Sequence, residues 1–490
     1  MKKLVAMLLV LLVGFSVFAN AQKEEKVVTA EQKGTAANPT VITCVIKDLG
    51  DYQEMLNQME IELAEDGIFV KFQPVQIQEG SYADAMGLML QGGTIPDLMY
   101  FQGGDYQFAI TQGILEDLTP YISNSKYLKD VLEDHTKARL ANYPYLLWVA
   151  TPRNKVPLIR NDWFSQLPTG KTVLENPTTE NYYNFMKEIQ TKFTHGPVLT
   201  CQGATDGLAE IDMMFGQAFG TSTSWVKDSN NKYVYSKVTE SELKKLEYYA
   251  RLYKENLLDN EYLSKKYSAK EQAFYKGQVG IVLGTQNTVV PKYETKMIAA
   301  NTPDATLAVL PPAKGPDGVC VFSPVAVDKE TRGWAISKTS QHKQLVFDIL
   351  DWLAGGKGAM LDQYGIKGKD YNITADNTIQ ILNDGWWPRF HEALKNFNPG
   401  MEYEGNKPLF AYPIMKEAND MVNAHTKLDN SFMMPEELTT DWDAANLVYK
   451  EFAADFVSGK KTAKDWDAFV KEWYAMGGTS VTEYANKILK

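Results

Sequence analysis

The chain is 490 residues long, with 44% hydrophobic and 23% charged residues. This length exceeds what one hydrophobic core usually supports, so the sequence predicts two domains. A formal net charge of −11, from 61 acidic and 50 basic residues, argues against nucleic acid as a partner because phosphate binding needs a basic surface.

The first predicted element is a secretory signal peptide at residues 1–21. Two lysines precede an apolar run at residues 4–18, and a small-residue site predicts cleavage after Ala21. About 15 apolar residues are too few for a helix that spans a membrane. The first cysteine is Cys44, so we expect no lipid anchor and a mature chain that is periplasmic or secreted. Residues 22–38 are polar and aperiodic, which predicts a flexible leader.

Short β-branched runs and helical stretches alternate along the rest of the chain. The predicted strands are residues 41–46, 69–75, 96–101, 198–201, 279–283 and 307–310. The predicted helices include residues 53–65, 82–90, 241–258 and 341–361. This alternation is typical of α/β folds, in which ligands bind at the loops that follow the carboxyl ends of parallel strands.

Two of the predicted helices have detailed signals. Thr239 and Glu242 have the spacing of a capping box at the start of the 241–258 helix. In the 341–361 helix an apolar stripe indicates core packing; its members are Leu345, Val346, Ile349, Leu350 and Leu353.

The sequence lacks the signatures of catalysis and metal binding. It has no G-x-S-x-G, H-E-x-x-H, phosphate-loop or G-x-G-x-x-G motif, and we expect no cofactor and no metal. Cys44, Cys201 and Cys320 lie in apolar runs without a C-x-x-C pair, which predicts buried thiols, with a Cys44–Cys320 disulfide as the alternative. A pair of carboxylates can meet in space without a motif, so a secreted glycan hydrolase or lyase is the alternative function.

Seven segments in fixed order resemble the family-1 extracellular solute-binding proteins of ABC transporters, in particular their oligosaccharide receptors. The segments are residues 92–122 (GGTIPDLMYFQGGDYQFAITQGILEDLTPYI), 156–167 (VPLIRNDWFSQL), 245–263, 273–284 (AFYKGQVGIVLG), 309–319 (VLPPAKGPDGV), 351–371 and 466–478 (WDAFVKEWYAMGG). The resemblance extends over nearly the whole mature chain.

The resemblance implies a periplasmic-binding-protein fold of two α/β lobes that close on a ligand by hinge bending. It assigns residues 39–155 and about 290–345 to the first lobe, and about 156–289 and 346–490 to the second. It implies a non-enzymatic receptor that binds a small-molecule ligand, an oligosaccharide in the first instance and a peptide in the alternative. The implied partner is an ABC permease in the membrane, and we expect a monomer.

One departure from the family bears on metal binding. Many members carry a calcium loop, but the corresponding stretch here, residues 191–207 (TKFTHGPVLTCQGATDG), has too few oxygen ligands at alternating positions. We therefore predict no bound calcium.

Tryptophan rings are the first candidates for a sugar-binding site because the C–H faces of sugars pack on aromatic rings. Trp386 and Trp387, followed by Arg389, lie in a loop-like stretch without helical or strand periodicity, although one ring can anchor the loop instead. Trp225 follows a polar run, and Trp334 precedes a short strand where a core role is the alternative.

Four polar or aromatic residues complete the predicted ligand-binding set. Arg160 and Trp163 lie where the family crosses into its second lobe, although an Arg160–Asp162 ion pair is an equal interpretation. Asp105 follows a predicted strand and either accepts sugar hydroxyls or caps the next helix. Gln286 follows the 279–283 strand.

Overall fold

The protein is described by a computed structural model. The described residues are 34–46, 53–77, 82–102, 106–132, 134–147, 154–220, 223–286, 289–315, 317–322, 332–375, 379–383, 402–403, 407–408, 412–432 and 434–489. The predicted signal peptide and the first part of the leader lie outside these ranges. Within them, no helix is both long enough and apolar enough to cross a membrane.

The described residues contain thirteen strands and twenty α-helices. The strands are β1 Thr40–Val45, β2 Val70–Pro74, β3 Leu98–Gln102, β4 Lys155–Arg160, β5 Trp225–Lys227, β6 Tyr233–Tyr235, β7 Ile281–Thr285, β8 Leu307–Val309, β9 Arg332–Ile336, β10 Tyr371–Ile373, β11 Ile379–Ile381, β12 Glu402–Tyr403 and β13 Lys407–Pro408. The helices are α1 Gln53–Glu65, α2 Tyr82–Gln91, α3 Tyr106–Thr111, α4 Thr119–Ile122, α5 Leu128–Val131, α6 Asp134–Asn142, α7 Asn161–Phe164, α8 Pro168–Glu175, α9 Thr179–Ile189, α10 Gly203–Asp206, α11 Ala209–Phe215, α12 Glu240–Lys254, α13 Tyr267–Tyr275, α14 Val289–Ala300, α15 Lys343–Leu353, α16 Gly356–Tyr364, α17 Pro413–Ala424, α18 Glu436–Val457, α19 Trp466–Trp473 and α20 Thr479–Ile488. Shorter 3-10 and π turns occur at Gln190–Thr194, Gly216–Phe219, Ser236–Val238, Tyr262–Ser264, Ala463–Asp465 and Tyr474–Gly478.

The first sheet has the strand order β2-β1-β3-β9. β1 is parallel to β2 and β3, whereas β9 is antiparallel to β3. Helices α1 and α15 contribute apolar faces to the core on this sheet. The predicted apolar stripe of α15 is buried there, as expected for the apolar face of an amphipathic helix.

The second sheet has the strand order β7-β4-β8, and both outer strands are antiparallel to β4. β4 is apolar on both faces, as a central strand covered on both sides must be. Val156 and Leu158 pack with α14 and α17, whereas Ile159 packs with α9 and α11.

Two chain segments differ from the predicted lobe boundaries. Residues 289–322, expected in the first lobe, supply β8 beside β4 and the core residue Phe322 beside Val156. Helices α15 and α16, expected in the second lobe, pack on the first sheet. An apolar stripe shows that a helix is buried but does not specify which sheet buries it. The other boundaries stay a prediction.

Three local predictions are also corrected. The predicted 341–361 helix is two helices, broken where Gly356 has φ of +57° and Tyr127 packs on Gly355. Residues 198–201 do not form a strand, although Leu199 makes isolated bridges to Leu258 and Ile281. The Thr239 side chain does not cap α12, because its hydroxyl donates to Ser236 O at 2.7 Å.

Glu242, the other predicted capping residue, instead belongs to a buried ionic network. Its carboxylate lies 2.9 Å from Lys245 Nζ, and Asp212 lies 2.8 Å from Lys245 and 2.7 Å from Lys237. Burial alone would raise the pKa of Asp212, but the two ammonium groups outweigh it and hold that pKa well below its usual range. The network joins α11 to α12 through charge rather than apolar packing.

The three cysteines are free thiols in the structure. Cys44 and Cys201 are buried in different cores, and Cys320 is half-buried. The alternative Cys44–Cys320 disulfide is therefore not formed, and burial raises the pKa of the Cys44 thiol to about 12, which makes it unreactive at neutral pH.

Candidate functional site

One end of the second sheet is joined to the first sheet by a short stretch of chain. Leu147 is bridged to Trp334 in the first sheet, and only residues 148–153 separate it from Asn154 at the start of β4. Because β7 is antiparallel to β4, Lys155 lies opposite Thr285. We call Asn154, Lys155, Thr285 and Gln286 the near edge, since this end of the sheet carries the chain connection to the first sheet.

Gln286, a predicted ligand-binding residue, lies on the near edge. Its side chain is hydrogen-bonded to the backbone of Asn154. Its Oε1 accepts from Asn154 N at 3.1 Å, and its own N–H donates to Asn154 O at 3.3 Å. The residue is fully buried. It therefore positions the near edge.

Arg160 and Trp163 lie at the opposite end of β4, which we call the far edge. Five residue steps along a strand place Arg160 about 17 Å from Lys155. The Arg160 guanidinium is paired with Asp162 through two bonds of 2.6 and 2.7 Å. Trp163 is stacked on Phe193, with ring centroids 4.6 Å apart. The Arg160–Asp162 ion pair, which the sequence offered as an equal interpretation, is thus present. Arg160 and Trp163 fix the turn after β4.

Trp225 and Trp334 are core residues rather than exposed platforms. Trp225 is 2% exposed and stacks on Phe432 and Trp442. Trp334 is fully buried in β9 against Tyr100, with ring centroids 4.9 Å apart. The polar run before Trp225 suggested a loop, but the Trp225 ring packs in an aromatic core between β5 and the C-terminal helices.

Four predicted ligand-binding residues lie outside the described residues: Asp105, Trp386, Trp387 and Arg389. The carboxyl-end loops of β1, β2 and β3 also fall there, at residues 47–52, 78–81 and 103–105. The roles of these four residues stay predictions.

The structure adds an exposed aromatic residue that the sequence analysis did not select. Tyr267 begins α13 and is 42% exposed. Gly277, just past the other end of this helix, lies against the Trp163 ring at the far edge. Since α13 runs along β7, with Lys270 Nζ donating to Leu283 O at 3.0 Å, its first residue Tyr267 lies toward the near edge.

Buried charges lie beneath Tyr267. The Glu210 carboxylate is 2.5 Å from Lys155 Nζ and 2.8 Å from Lys270 Nζ. Glu210 and Lys270 are fully buried, whereas the Lys155 side chain is 20% exposed. Burial by itself would raise the pKa of Glu210, but the charges of Lys270 and Lys155 lower it, so the carboxylate is ionised at neutral pH. We call these three residues the Glu210 cluster.

Tyr267 is held in place over this cluster. Lys270 Nζ lies 5.0 Å from the centroid of its ring, and its hydroxyl accepts from Tyr293 at 3.0 Å. Partial burial raises the pKa of Tyr267 to about 12, which keeps the phenol neutral. A fixed, exposed ring is suited to stacking against an apolar ligand face.

The sequence signal for Tyr267 was an aromatic residue at the first position of a helix, directly after two lysines. Glu210 and Lys270 gave no signal, because charged residues are almost never fully buried unless they are paired. Such pairs meet only in three dimensions.

The described residues include no group of three His, Cys, Asp or Glu side chains placed to hold a metal ion. At the turn after α9, the Gln190 side-chain amide lies within 3.1–3.3 Å of three carbonyl oxygens, those of Gly196, Glu255 and Asn256. A side-chain donor thus binds backbone carbonyls at the start of the stretch that departs from the family's calcium loop. That the protein binds no calcium stays a prediction.

The chain matches a family model and is similar in sequence to a known lipoprotein. Residues 53–360 match the family model described as bacterial extracellular solute-binding protein. The lipoprotein LipO of Bacillus subtilis (strain 168) is 20% identical over 448 residues, which is 84% of this chain and 85% of LipO.

The fold is also similar to that of two binding proteins of known structure. The alginate-binding protein AlgQ2 without calcium ion has a TM-score of 0.58 and 16% identity, covering 93% of this chain and 99% of its own. The N-glycan transport solute-binding protein NgtS from Streptococcus pneumoniae has a TM-score of 0.62 and 14% identity, covering 92% and 99%. At these identities the likeness shows the fold alone, and it confirms the predicted two-lobed α/β architecture.

Proposed function

The chain belongs to the bacterial extracellular solute-binding proteins, and from that premise we propose that it captures an oligosaccharide between its lobes by hinge closure. The loaded receptor then delivers the sugar to the permease of an ABC transporter. The observation that carries the choice of ligand is Tyr267, an exposed and fixed ring at the near edge.

Sugar binding needs a ring for the C–H face and directional polar groups for the hydroxyls. Tyr267 supplies the ring, with the Lys155 ammonium at the same edge. Trp386, Trp387, Arg389 and Asp105 are proposed to contribute from the segments outside the described residues. AlgQ2 and NgtS, which share the fold, are named for binding alginate and for transporting N-glycans.

The state of Glu210 argues against a role for this residue as the general acid of a glycosidase. A glycosidase needs one carboxylic acid with a raised pKa that can protonate the leaving oxygen. The pKa of Glu210 is lowered, and its carboxylate is held between two lysines. This carboxylate therefore stabilises cations rather than serving as an acid.

Export and assembly are further parts of the proposal. We propose that the signal peptide is removed after Ala21 and that the mature protein is a monomer outside the cytoplasm. N-terminal sequencing and light scattering of the secreted protein test these two statements.

A thermal-shift screen tests the proposed ligand class. A ligand that binds only the folded state stabilises it by about 2.7 kcal/mol at 100 times its Kd, so a matching oligosaccharide raises the melting temperature. Peptides of similar size serve as the comparison set. Shifts with peptides and none with sugars would contradict the proposal, and release of shorter sugars from a bound glycan would point to an enzyme.

Replacing Tyr267 by alanine is expected to weaken binding of the sugar found in that screen by about tenfold, since ring stacking contributes about 0.5 to 1.5 kcal/mol beyond buried area. Calorimetric titration measures the change. Tyr267→Phe keeps the ring and is expected to retain most of the affinity. The matched control is Tyr183→Ala, whose half-buried ring lies under Arg251 at 3.6 Å, away from the near edge. Equal losses in both alanine variants would contradict a platform role for Tyr267.

A further inference from the structure

One small apolar cluster combines side chains from helices that pack on different sheets. Its buried members are Met360 and Tyr364 of α16, Tyr371 of β10, Ile379 of β11 and Met415 of α17, each at most 6% exposed. We call these five residues the Met415 cluster. No other apolar cluster of the described residues combines elements packed on the first sheet with elements packed on the second.

The α16 side of the cluster is held on the first sheet. Leu361 is buried in the core of that sheet. Lys357 Nζ donates to Glu62 O at 2.9 Å and lies 3.2 Å from the Glu65 carboxylate. Both acceptors belong to α1, which packs on the same sheet, so α16 moves with the first lobe.

The α17 side of the cluster is held on the second sheet. Ile414 and Val422 are buried in the core that covers β4, and Glu417 Oε1 accepts from Val309 N in β8 at 3.3 Å. Met415 follows Ile414 directly but is buried in the Met415 cluster instead. The cluster is therefore a contact between the two lobes, at a place where the chain passes from one lobe to the other through β10 and β11.

The residue types suit a contact that persists while its two sides rotate. Separating the lobes at this point would expose apolar side chains to water, which is unfavourable. Met360 and Met415, one from each helix, are unbranched side chains with three rotatable bonds, and such side chains adapt to irregular surroundings. Each can change its rotamer without leaving the cluster.

We propose that the Met415 cluster is the pivot about which the two lobes rotate when a ligand is captured. α16 and α17 stay in contact through the cluster in the open and the closed form, while Met360 and Met415 adjust to follow the rotation. This inference rests on the closure in the proposed function and assigns the residues that carry it. The alternative is a latch that forms in only one of the two forms.

Methyl NMR on the unaltered protein tests whether the contact persists. Methionine and isoleucine methyl groups and tyrosine rings are kept protonated in an otherwise deuterated chain, and Met360→Leu and Met415→Leu each identify one signal. The sugar is whichever of maltotetraose, mannotetraose and galactotetraose raises the melting temperature most. We expect the Met415 methyl group to contact the same side chains of the cluster in the free and the saturated protein.

A cavity in the cluster tests whether it fixes the axis of rotation. Spin labels on Ile61→Cys and Leu174→Cys, exposed positions in α1 and α8, report the distance between the lobes by pulsed EPR, with Cys320→Ser to remove the half-buried native thiol. Met415→Ala is expected to widen the distance distribution at least about 1.5-fold, with and without sugar, because a loosely packed contact loses its unique geometry. The matched control Met297→Ala empties a buried position within the second lobe alone and is expected to leave the width unchanged.

The outcomes separate this inference from the proposed function. Cluster contacts of Met415 that exist in only one form, or distances that widen no more in Met415→Ala than in Met297→Ala, overturn the pivot and leave sugar capture in place. If none of the three sugars binds, their capture is contradicted, while the width in the free Met415→Ala protein still decides the pivot. If Met415→Ala fails to fold, the methyl contacts of the unaltered protein decide it.

Discussion

Replacing Trp225 by alanine is expected to lower the free energy of unfolding by about 3 to 5 kcal/mol, as for a large aromatic side chain removed from a core. Trp225 is 2% exposed and stacks on Phe432 and Trp442, with ring centroids 5.5 and 6.3 Å away. Affinity for the sugar is expected to stay within about twofold, because the ring offers a ligand no free face. Chemical denaturation and calorimetric titration measure the two quantities.

A second variant makes the Trp225 experiment decisive. Trp225→Phe keeps an aromatic ring in the cluster and is expected to recover more than half of the lost stability. Unchanged stability together with lost binding in Trp225→Ala would reverse the assignment and return Trp225 to the ligand site, where the polar run before it had suggested a role.

Replacing Lys245 by methionine is expected to cost about 3 to 5 kcal/mol of stability at neutral pH, since it removes a buried ammonium group that two buried carboxylates share. Lys245 is fully buried and lies 2.8 Å from Asp212 and 2.9 Å from Glu242. Lys237, at 2.7 Å from Asp212 and 3.7 Å from Glu242, is the ammonium group of this network that the variant keeps. Denaturant unfolding at pH 7 measures the loss, and the same substitution at Lys416, in an exposed pair with Asp420, is expected to cost less than about 1 kcal/mol.

The loss in Lys245→Met should shrink as the pH falls. Because the folded-state pKa of Asp212 is lowered, this carboxylate contributes stability above its unfolded pKa of about 4 and loses that contribution as the pH falls toward the folded value. The unaltered protein therefore loses stability on acidification, whereas in the variant protonation relieves Asp212, which has lost one of its two ammonium partners. A difference that stays constant from pH 7 to pH 3 would contradict an electrostatic origin.

Much of the fold is predictable because it depends on local periodicity. The run at residues 41–46 reads as a buried strand, and β1 occupies Thr40–Val45. The leucine-rich stripe at 345–353 reads as a buried helix face and is one. The stripe does not predict which sheet the helix packs on. We expected the second sheet, but α15 packs on the first.

The candidate site is less predictable, because its residues meet only through the fold. Arg160 was predicted to lie near the ligand, whereas Lys155 was not selected. The two residues lie at opposite ends of β4, so they belong to different surroundings. Glu210 and Lys270 come from helices far apart in the chain, and their contact at 2.8 Å leaves no trace in spacing or composition.

Small-angle X-ray scattering with and without the sugar tests the central claim most directly. A ligand that contacts both lobes favours the closed form in proportion to its greater affinity for that form. We predict a smaller radius of gyration at saturation, with saturation verified by calorimetry on the same samples. An identical scattering profile for the free and the saturated protein would contradict capture by closure of the two lobes.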